Sequence, residues 1–191
     1  MTDAVWLVVG LGNPGSTYKN TRHNIGAMVV EHSVKELGEK LSLNKKTNSY
    51  ICETKLGTVK VIFANLASYM NESGGPVKSL INFFKIDLNN LIVLHDELDL
   101  EYGDIRIKQG GGDNGHNGLK SIRNSLDSGE FIRIRLGIGR PPGQMDPADF
   151  VLKPFNFFEK SKLDDFFQMG NKAISDVLNY GVLQAQNLNN G

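Results

Sequence analysis

In the stretch Val5-Trp6-Leu7-Val8-Val9-Gly10-Leu11-Gly12-Asn13-Pro14-Gly15, a short apolar run meets a glycine turn. Val5–Val9, bounded by Gly10, reads as a buried strand. Gly10–Gly15 also fits G-x-G-x-x-G directly after a strand, the dinucleotide-binding fingerprint. That fingerprint needs a helix that starts inside the glycine run and packs on the sheet. Ser16–Asn24 is polar apart from Tyr18 and offers no apolar stripe. About twenty residues on, where an acidic residue should close a second strand, the chain reads as helix around Glu31. The segment is therefore read as a tight Asn-Pro-Gly turn. It lies at the C-terminal end of a buried strand, where α/β proteins bind ligands, so Asn13 is a candidate site residue.

Outward from this turn, strands and helices alternate. Asn24 can cap a helix over 25–41, with Val30, Val34, Leu37 and Leu41 at helical spacing. Tyr50–Leu56 and Thr58–Asn65 read as a hairpin joined at Gly57. Pro76 suits a first helical turn, and Val77, Leu80, Ile81 and Phe84 form the stripe that follows. Leu91–His95, Ile105–Lys108 and Phe131–Ile138 read as strands. Leu119–Leu126 reads as a short helix with Asn117 as its cap. Leu163, Phe166, Phe167, Ile174, Val177 and Leu178 mark a long last helix, and Gly143–Asp149 reads as a surface loop. This alternation predicts an α/β fold, one domain over 1–191, with a twisted, mixed and mainly parallel sheet surrounded by helices.

The chain has 191 residues, 40% of them hydrophobic and 22% charged, which is globular composition. Lys+Arg and Asp+Glu both number 21, so total charge points to no partner. The one cysteine, Cys52, allows no intrachain disulfide and fits a reducing cytoplasm. Met1–Ala4 carries no export signal, and no apolar run approaches the ~20 residues of a membrane span. A soluble, cytoplasmic protein is expected. Neither G-x-S-x-G nor a cysteine-centred nucleophile motif is present.

The four histidines differ in setting. His32 falls mid-helix and reads as structural. His95 and Asp96 are neighbours on a strand, so they point to opposite faces and are not expected to act on one ligand. His116, in a glycine-rich loop, is either a solvated loop residue or a ligand contact. His23 closes the polar loop that began at the first strand end. Residues 86–103 hold five acidic side chains and no Lys or Arg. A Mg²⁺ site is one reading, but no recognised metal loop is matched. The favoured reading is one functional carboxylate, Asp96, among solvated neighbours and able to orient His23. Further on, Arg133 and Arg135 share a strand face, as do Arg106 and Lys108. Such pairs, roughly 7 Å apart, match successive phosphates or form an ordinary solvated face. The helix after Asn117 would add free amides for an anion.

Together, Val9–Gly15 (VGLGNPG) with Tyr18, Thr21–Asn24 (TRHN), Tyr69–Gly74 (YMNESG), His95–Leu100 (HDELDL), Gly110–Ile122 (GGGDNGHNGLKSI) and Arg133–Pro141 (RIRLGIGRP) resemble the bacterial-type peptidyl-tRNA hydrolase family along almost the whole chain. The resemblance implies a single α/β domain, usually monomeric, with no cofactor, no metal and no obligate protein partner. It implies hydrolysis of the ester between a peptide and the 3′ ribose of peptidyl-tRNA, recycling tRNA from stalled translation and engaging the acceptor end and 3′ CCA. His23 would be the base that activates water, at an ordinary imidazole pKa near ~6.5, with Asp96 holding its ring. Asn13 and Asn71 would bind substrate and polarise the ester. Asn117, with His116 beside it, would contact the peptide or ordered water. Tyr18 and Met70 would line the cleft near the terminal adenosine, and Lys108 and Arg135 would clamp the tRNA 5′ phosphate. Glu72 stands where the family more often has an apolar residue. Asp113 stands where it often has a small or neutral one.

Overall fold

The computed structural model describes residues 4–191; Met1–Asp3, part of the stretch read for an export signal, lie outside the described residues. Among the described residues, seven strands form one sheet in the order β2-β3-β4-β1-β5-β7-β6. They are β1 (Val5–Gly10), β2 (Ser42–Asn44), β3 (Ser49–Leu56), β4 (Val59–Leu66), β5 (Leu91–Glu97), β6 (Ile105–Gln109) and β7 (Ile132–Gly137). The central four, β4-β1-β5-β7, run parallel, and β2, β3 and β6 add antiparallel flanks. The helices are α1 (Ile25–Glu36), α2 (Gly74–Phe84), α3 (Asn117–Leu126), α4 (Pro147–Val151), α5 (Phe157–Ser161) and α6 (Leu163–Asn189). Among the described residues, no helix is long and apolar enough to cross a membrane.

Alternation along the strands divides the core in two. Val8, Ile92, Leu94 and Ile134 face α1 and α6, meeting Ile25, Val29, Phe166 and Ile174. Leu7, Val9, Leu91 and Val93 face α2 and α3, meeting Val77, Leu80, Leu119 and Ile122. Both faces of the central strands are buried, which is why they read as near-continuous apolar runs.

Gly10 owes its identity to close packing. A Cβ there would come within 2.4 Å of the Gly26 carbonyl oxygen, and one on Gly26 within 2.2 Å of that of Leu94. These two glycines let the start of α1 press against the strand ends. The G-x-G spacing thus serves helix-on-sheet contact in this chain.

Several local expectations shift. The first helix ends at Glu36, short of Leu41, because Leu37 and Gly38 (φ 72°) turn the chain. Asn24 makes no capping bond. His116, not Asn117, caps α3. The expected loop 143–149 contains the start of α4, nucleated by the Asp146 side chain on the Ala148 N–H with Pro147 behind it. The last helix is broken at Gly181.

Candidate active site

The loops at the C-terminal ends of β1 and β5 converge, as parallel sheets dictate. His23, in the 3₁₀ turn Arg22–Asn24, meets Asp96 of β5. Its Nδ1 lies 2.9 Å from each carboxylate oxygen. A carboxylate only accepts, so Nδ1 carries the hydrogen and the neutral ring keeps its lone pair on Nε2. His116 reaches the same carboxylate, with Nε2 2.8 Å from Asp96 Oδ1. Its Nδ1 accepts the Gly118 N–H at 3.1 Å and the Leu119 N–H at 3.3 Å. His116 therefore donates through Nε2, and one imidazole both caps α3 and braces Asp96. The amides expected to receive an anion at this helix start are already taken.

Burial would lower the pKa of His23, but the charge and hydrogen bond of Asp96 outweigh it and raise it. This corrects the expectation of an ordinary imidazole. Burial likewise opposes charge on Asp96, yet His23 and His116 hold its carboxyl well below the usual carboxylate range. His95 behaves differently. Its Nδ1 donates to the Asp96 carbonyl at 2.8 Å, and its ring stands edge-on to that of His116 at 5.1 Å. Burial, then the nearby His116, push its pKa down to about 3.

A cavity of about 390 Å³ opens on this cluster, lined among others by His23, Asp96, His116, Asn117, Leu98 and Val151. His95 lines it too. Strand alternation still holds, but the loop before α3 folds over the strand tip and joins both faces. Asn117 is exposed at the start of α3.

Asn13, Tyr18, Met70 and Asn71 lie outside that lining. Asn13 borders a crevice of about 400 Å³ with Gly12, Asn24 and Asn65. Asn24 holds it in place, accepting the Asn13 N–H and donating to its carbonyl, both at 2.9 Å. Asn13 Oδ1 accepts the Met70 N–H at 2.8 Å, which leaves its Nδ2 free to donate. Asn71 is exposed, and Tyr18 stands edge-on to Tyr69 at 6.3 Å. Met70 departs from its expected place on the cleft wall. Its side chain is 4% exposed and packs in the core with Leu11 and Leu119.

Of the acidic neighbours of Asp96, Asp87, Asp99 and Glu101 are exposed as expected, but Glu97 is not. Glu97 is buried and bonds Arg135 Nε at 3.1 Å, while Asp99 pairs with Arg140 and accepts from Asn114 at 2.8 Å. Lys108, Arg133 and Arg135 line a second cavity of about 390 Å³. Arg133 is buried beneath it, donating to the carbonyls of Gly111 at 2.7 Å and of Gly112. It pins the glycine loop rather than presenting a free charge. Asp113 is met by Arg123 at 2.7 Å, and Glu72 is exposed.

Single nitrogen or oxygen atoms of His23, Asp96 and His116 lie within 4.8 Å of one another, close enough to suggest a metal. The hydrogens argue otherwise. His23 Nδ1 and His116 Nε2 each aim an N–H at Asp96, so no lone pairs point to a common centre. Holding an ion would require removing both hydrogens and giving up the α3 cap.

Sequence reading missed Arg22. Its guanidinium donates to the Pro154 carbonyl at 2.9 Å, pairs with Glu159 at 2.7 Å and stacks over Phe150 at 4.2 Å. It fixes α4, one wall of the cavity, to the turn bearing His23. The only signal was its place inside Thr21–Asn24.

A family model described as peptidyl-tRNA hydrolase matches residues 7–191. The peptidyl-tRNA hydrolase of Rhodococcus erythropolis is 50% identical over 181 residues, covering 95% of each chain. That of Rhodococcus opacus is 48% identical over 187 residues, covering 98% of each. The crystal structure of peptidyl-tRNA hydrolase from Acinetobacter baumannii aligns with a TM-score of 0.91 at 34% identity, covering 98% of this chain and 95% of that one.

Proposed function

This chain belongs to the peptidyl-tRNA hydrolase family, and from that premise we propose that it cleaves the ester between a peptide and the 3′ ribose of tRNA with His23 as general base and without metal. The observation that carries the mechanism is the hydrogen-bonded chain His23–Asp96–His116. His23 Nε2 takes a proton from a water as that water attacks the ester carbonyl. Asp96 stabilises the imidazolium that results and fixes which nitrogen is basic. The imidazolium then returns the proton to the departing ribose oxygen. Proton transfer of this kind is worth roughly 10²–10⁴-fold.

Asn13 supports the step through its free Nδ2 and Asn71 through its exposed amide, as donors to the developing oxyanion, each worth ~10²–10³-fold. Asn117 holds the peptide or its water. Tyr18 and the backbone of Met70 shape the place of the terminal adenosine, Met70 by orienting Asn13. The Leu98 and Val151 wall receives peptide side chains. Lys108 and Arg135 receive the 5′ phosphate at the acceptor end. The directed N–H groups around Asp96 favour metal independence. The family resemblance implies a monomer with no obligate protein partner, and the buried thiol of Cys52 fits the cytoplasm.

The deciding assay offers N-blocked and free aminoacyl-tRNA, both with EDTA. Cleavage of the blocked ester alone is expected. Loss of activity with EDTA would remove the metal-free mechanism. His23→Ala is expected to abolish turnover while keeping fold and substrate affinity; near-normal hydrolysis by that variant would assign the base elsewhere.

A further inference from the structure

Strand β6 lies at the sheet edge, and Ile107 at its centre turns its peptide away from β7. That peptide is not left to water. Asn190 Oδ1 accepts the Ile107 N–H at 2.7 Å, and Asn190 Nδ2 donates to the Ile107 carbonyl at 2.8 Å. One carboxamide thus supplies both bonds that a further strand would make. The Asn190 carbonyl also accepts from Arg106 at 2.9 Å.

The chain reaches this position by doubling back. At Gly181 the backbone takes φ 76°, ψ 170°, which breaks α6 and suits a residue without a Cβ. Asn189 then donates to Asp176 at 2.9 Å, although a straight helix would hold residues thirteen apart about 20 Å from each other. Asp176 is buried and is also met by Lys172 at 2.6 Å. Two consecutive asparagines therefore face opposite ways. One grips the first half of α6, and the other grips the edge strand.

Lys108 follows Ile107 directly. Its ammonium lies over the glycine loop, so that a Cβ on Gly111 would come within 2.9 Å of it. It lines the basic cavity with Arg133 and Arg135. We propose that Asn189 and Asn190 form a latch that positions β6 so that Lys108 is held ready for a tRNA phosphate. Asn190 is thus a positioning residue for substrate binding; this rests on the phosphate-binding reading of Lys108.

The test compares N-acetyl-aminoacyl-tRNA carrying a 5′ phosphate with the same substrate dephosphorylated, for wild type, Lys108→Ala, Asn190→Ala and Asn190→Asp. Asp keeps the shape but sets an oxygen against the Ile107 carbonyl. Wild type is expected to show a lower KM for the phosphorylated form. Both Asn190 variants are expected to raise that KM by about fivefold, the equivalent of one lost hydrogen bond, with kcat and the KM of the dephosphorylated form unchanged. Amide exchange at Ile107 is expected to speed up in Asn190→Ala, which removes the acceptor of its N–H. If the Asn190 variants keep the wild-type preference while Lys108→Ala loses it, the latch is structural only and the proposal is overturned. If wild type and Lys108→Ala alike ignore the 5′ phosphate, the phosphate reading fails and the latch proposal falls with it.

Discussion

At the scale of single residues, the site is a problem of which nitrogen carries which hydrogen. The raised pKa of His23 means that a larger share of the ring is protonated at neutral pH than in a free imidazole. In the proposed mechanism the base is the neutral form, so kcat/KM is expected to rise with pH through a limb lying above the ordinary value of about 6.5. Asp96→Asn removes the charge that raises this pKa and leaves burial to lower it. The limb is expected to move to lower pH while kcat falls by about 10⁴-fold, because the ring loses its enforced tautomer. A pH–rate profile decides this, and an unmoved limb in Asp96→Asn would detach His23 from Asp96. Asn24 has a comparable role toward Asn13. Asn24→Ala removes both bonds to the Asn13 backbone. It is expected to cost about 1–2 kcal/mol in urea unfolding and to lower kcat more than it raises KM. A change in KM alone would mean that Asn13 serves binding and not the transition state.

At the scale of elements, the wall formed by α4 and α5 depends on one buried ion pair, Arg22–Glu159, with side-chain exposures of 6% and 11%. Glu159 also closes a capping box with Asn156. Removing one partner strands the other's charge, so Glu159→Ala is expected to cost about 3–5 kcal/mol. Glu159→Gln, which keeps an acceptor, is expected to cost clearly less. Equal losses in denaturant titrations would mean that the charge, not the acceptor shared with the cap, holds the wall. The central strands and the long helices were legible in the sequence because burial writes itself as apolar runs and stripes, whereas β2, three residues with little burial, left no such run. The α4–α5 wall was not legible. Its order comes from a guanidinium more than a hundred residues away, and no local periodicity records that. The α3 cap was misread for a related reason, since an imidazole is an unusual N-cap and its acceptor nitrogen is set by a distant carboxylate. His23, Asp96 and Asn13 could be read as candidates because each lies at or beyond a strand end. The core position of Met70 depends on packing against Leu11 and Leu119, and the anchoring role of Arg133 on the glycine loop folding over β7; neither leaves a local pattern.

At the scale of the whole molecule, a chain with as many acidic as basic residues has to attract RNA locally. Glu97 holds Arg135 in the free protein. Glu97→Gln is therefore expected to tighten tRNA binding, while Lys108→Ala weakens it and flattens its salt dependence; unchanged salt slopes in Lys108→Ala would deny it a phosphate contact. The same cluster of ionisable groups also sets how the fold responds to acid. His95 has a folded pKa of about 3, against about 6.5 when unfolded. Between those values the unfolded chain binds more protons than the folded one, so stability is lost as pH falls through that window. His23, with its raised pKa, acts in the opposite direction. Its contribution is complete below about 6.5 and is lost as pH rises through its folded value. His95→Asn can keep a donor to the Asp96 carbonyl yet has no titrating ring. Its urea-unfolding free energy is expected to fall less steeply than wild type between about pH 6.5 and pH 4, and to match the wild-type slope above pH 7. Parallel curves across the acid range would mean that His95 is not the group whose burial sets the acid limit of this fold.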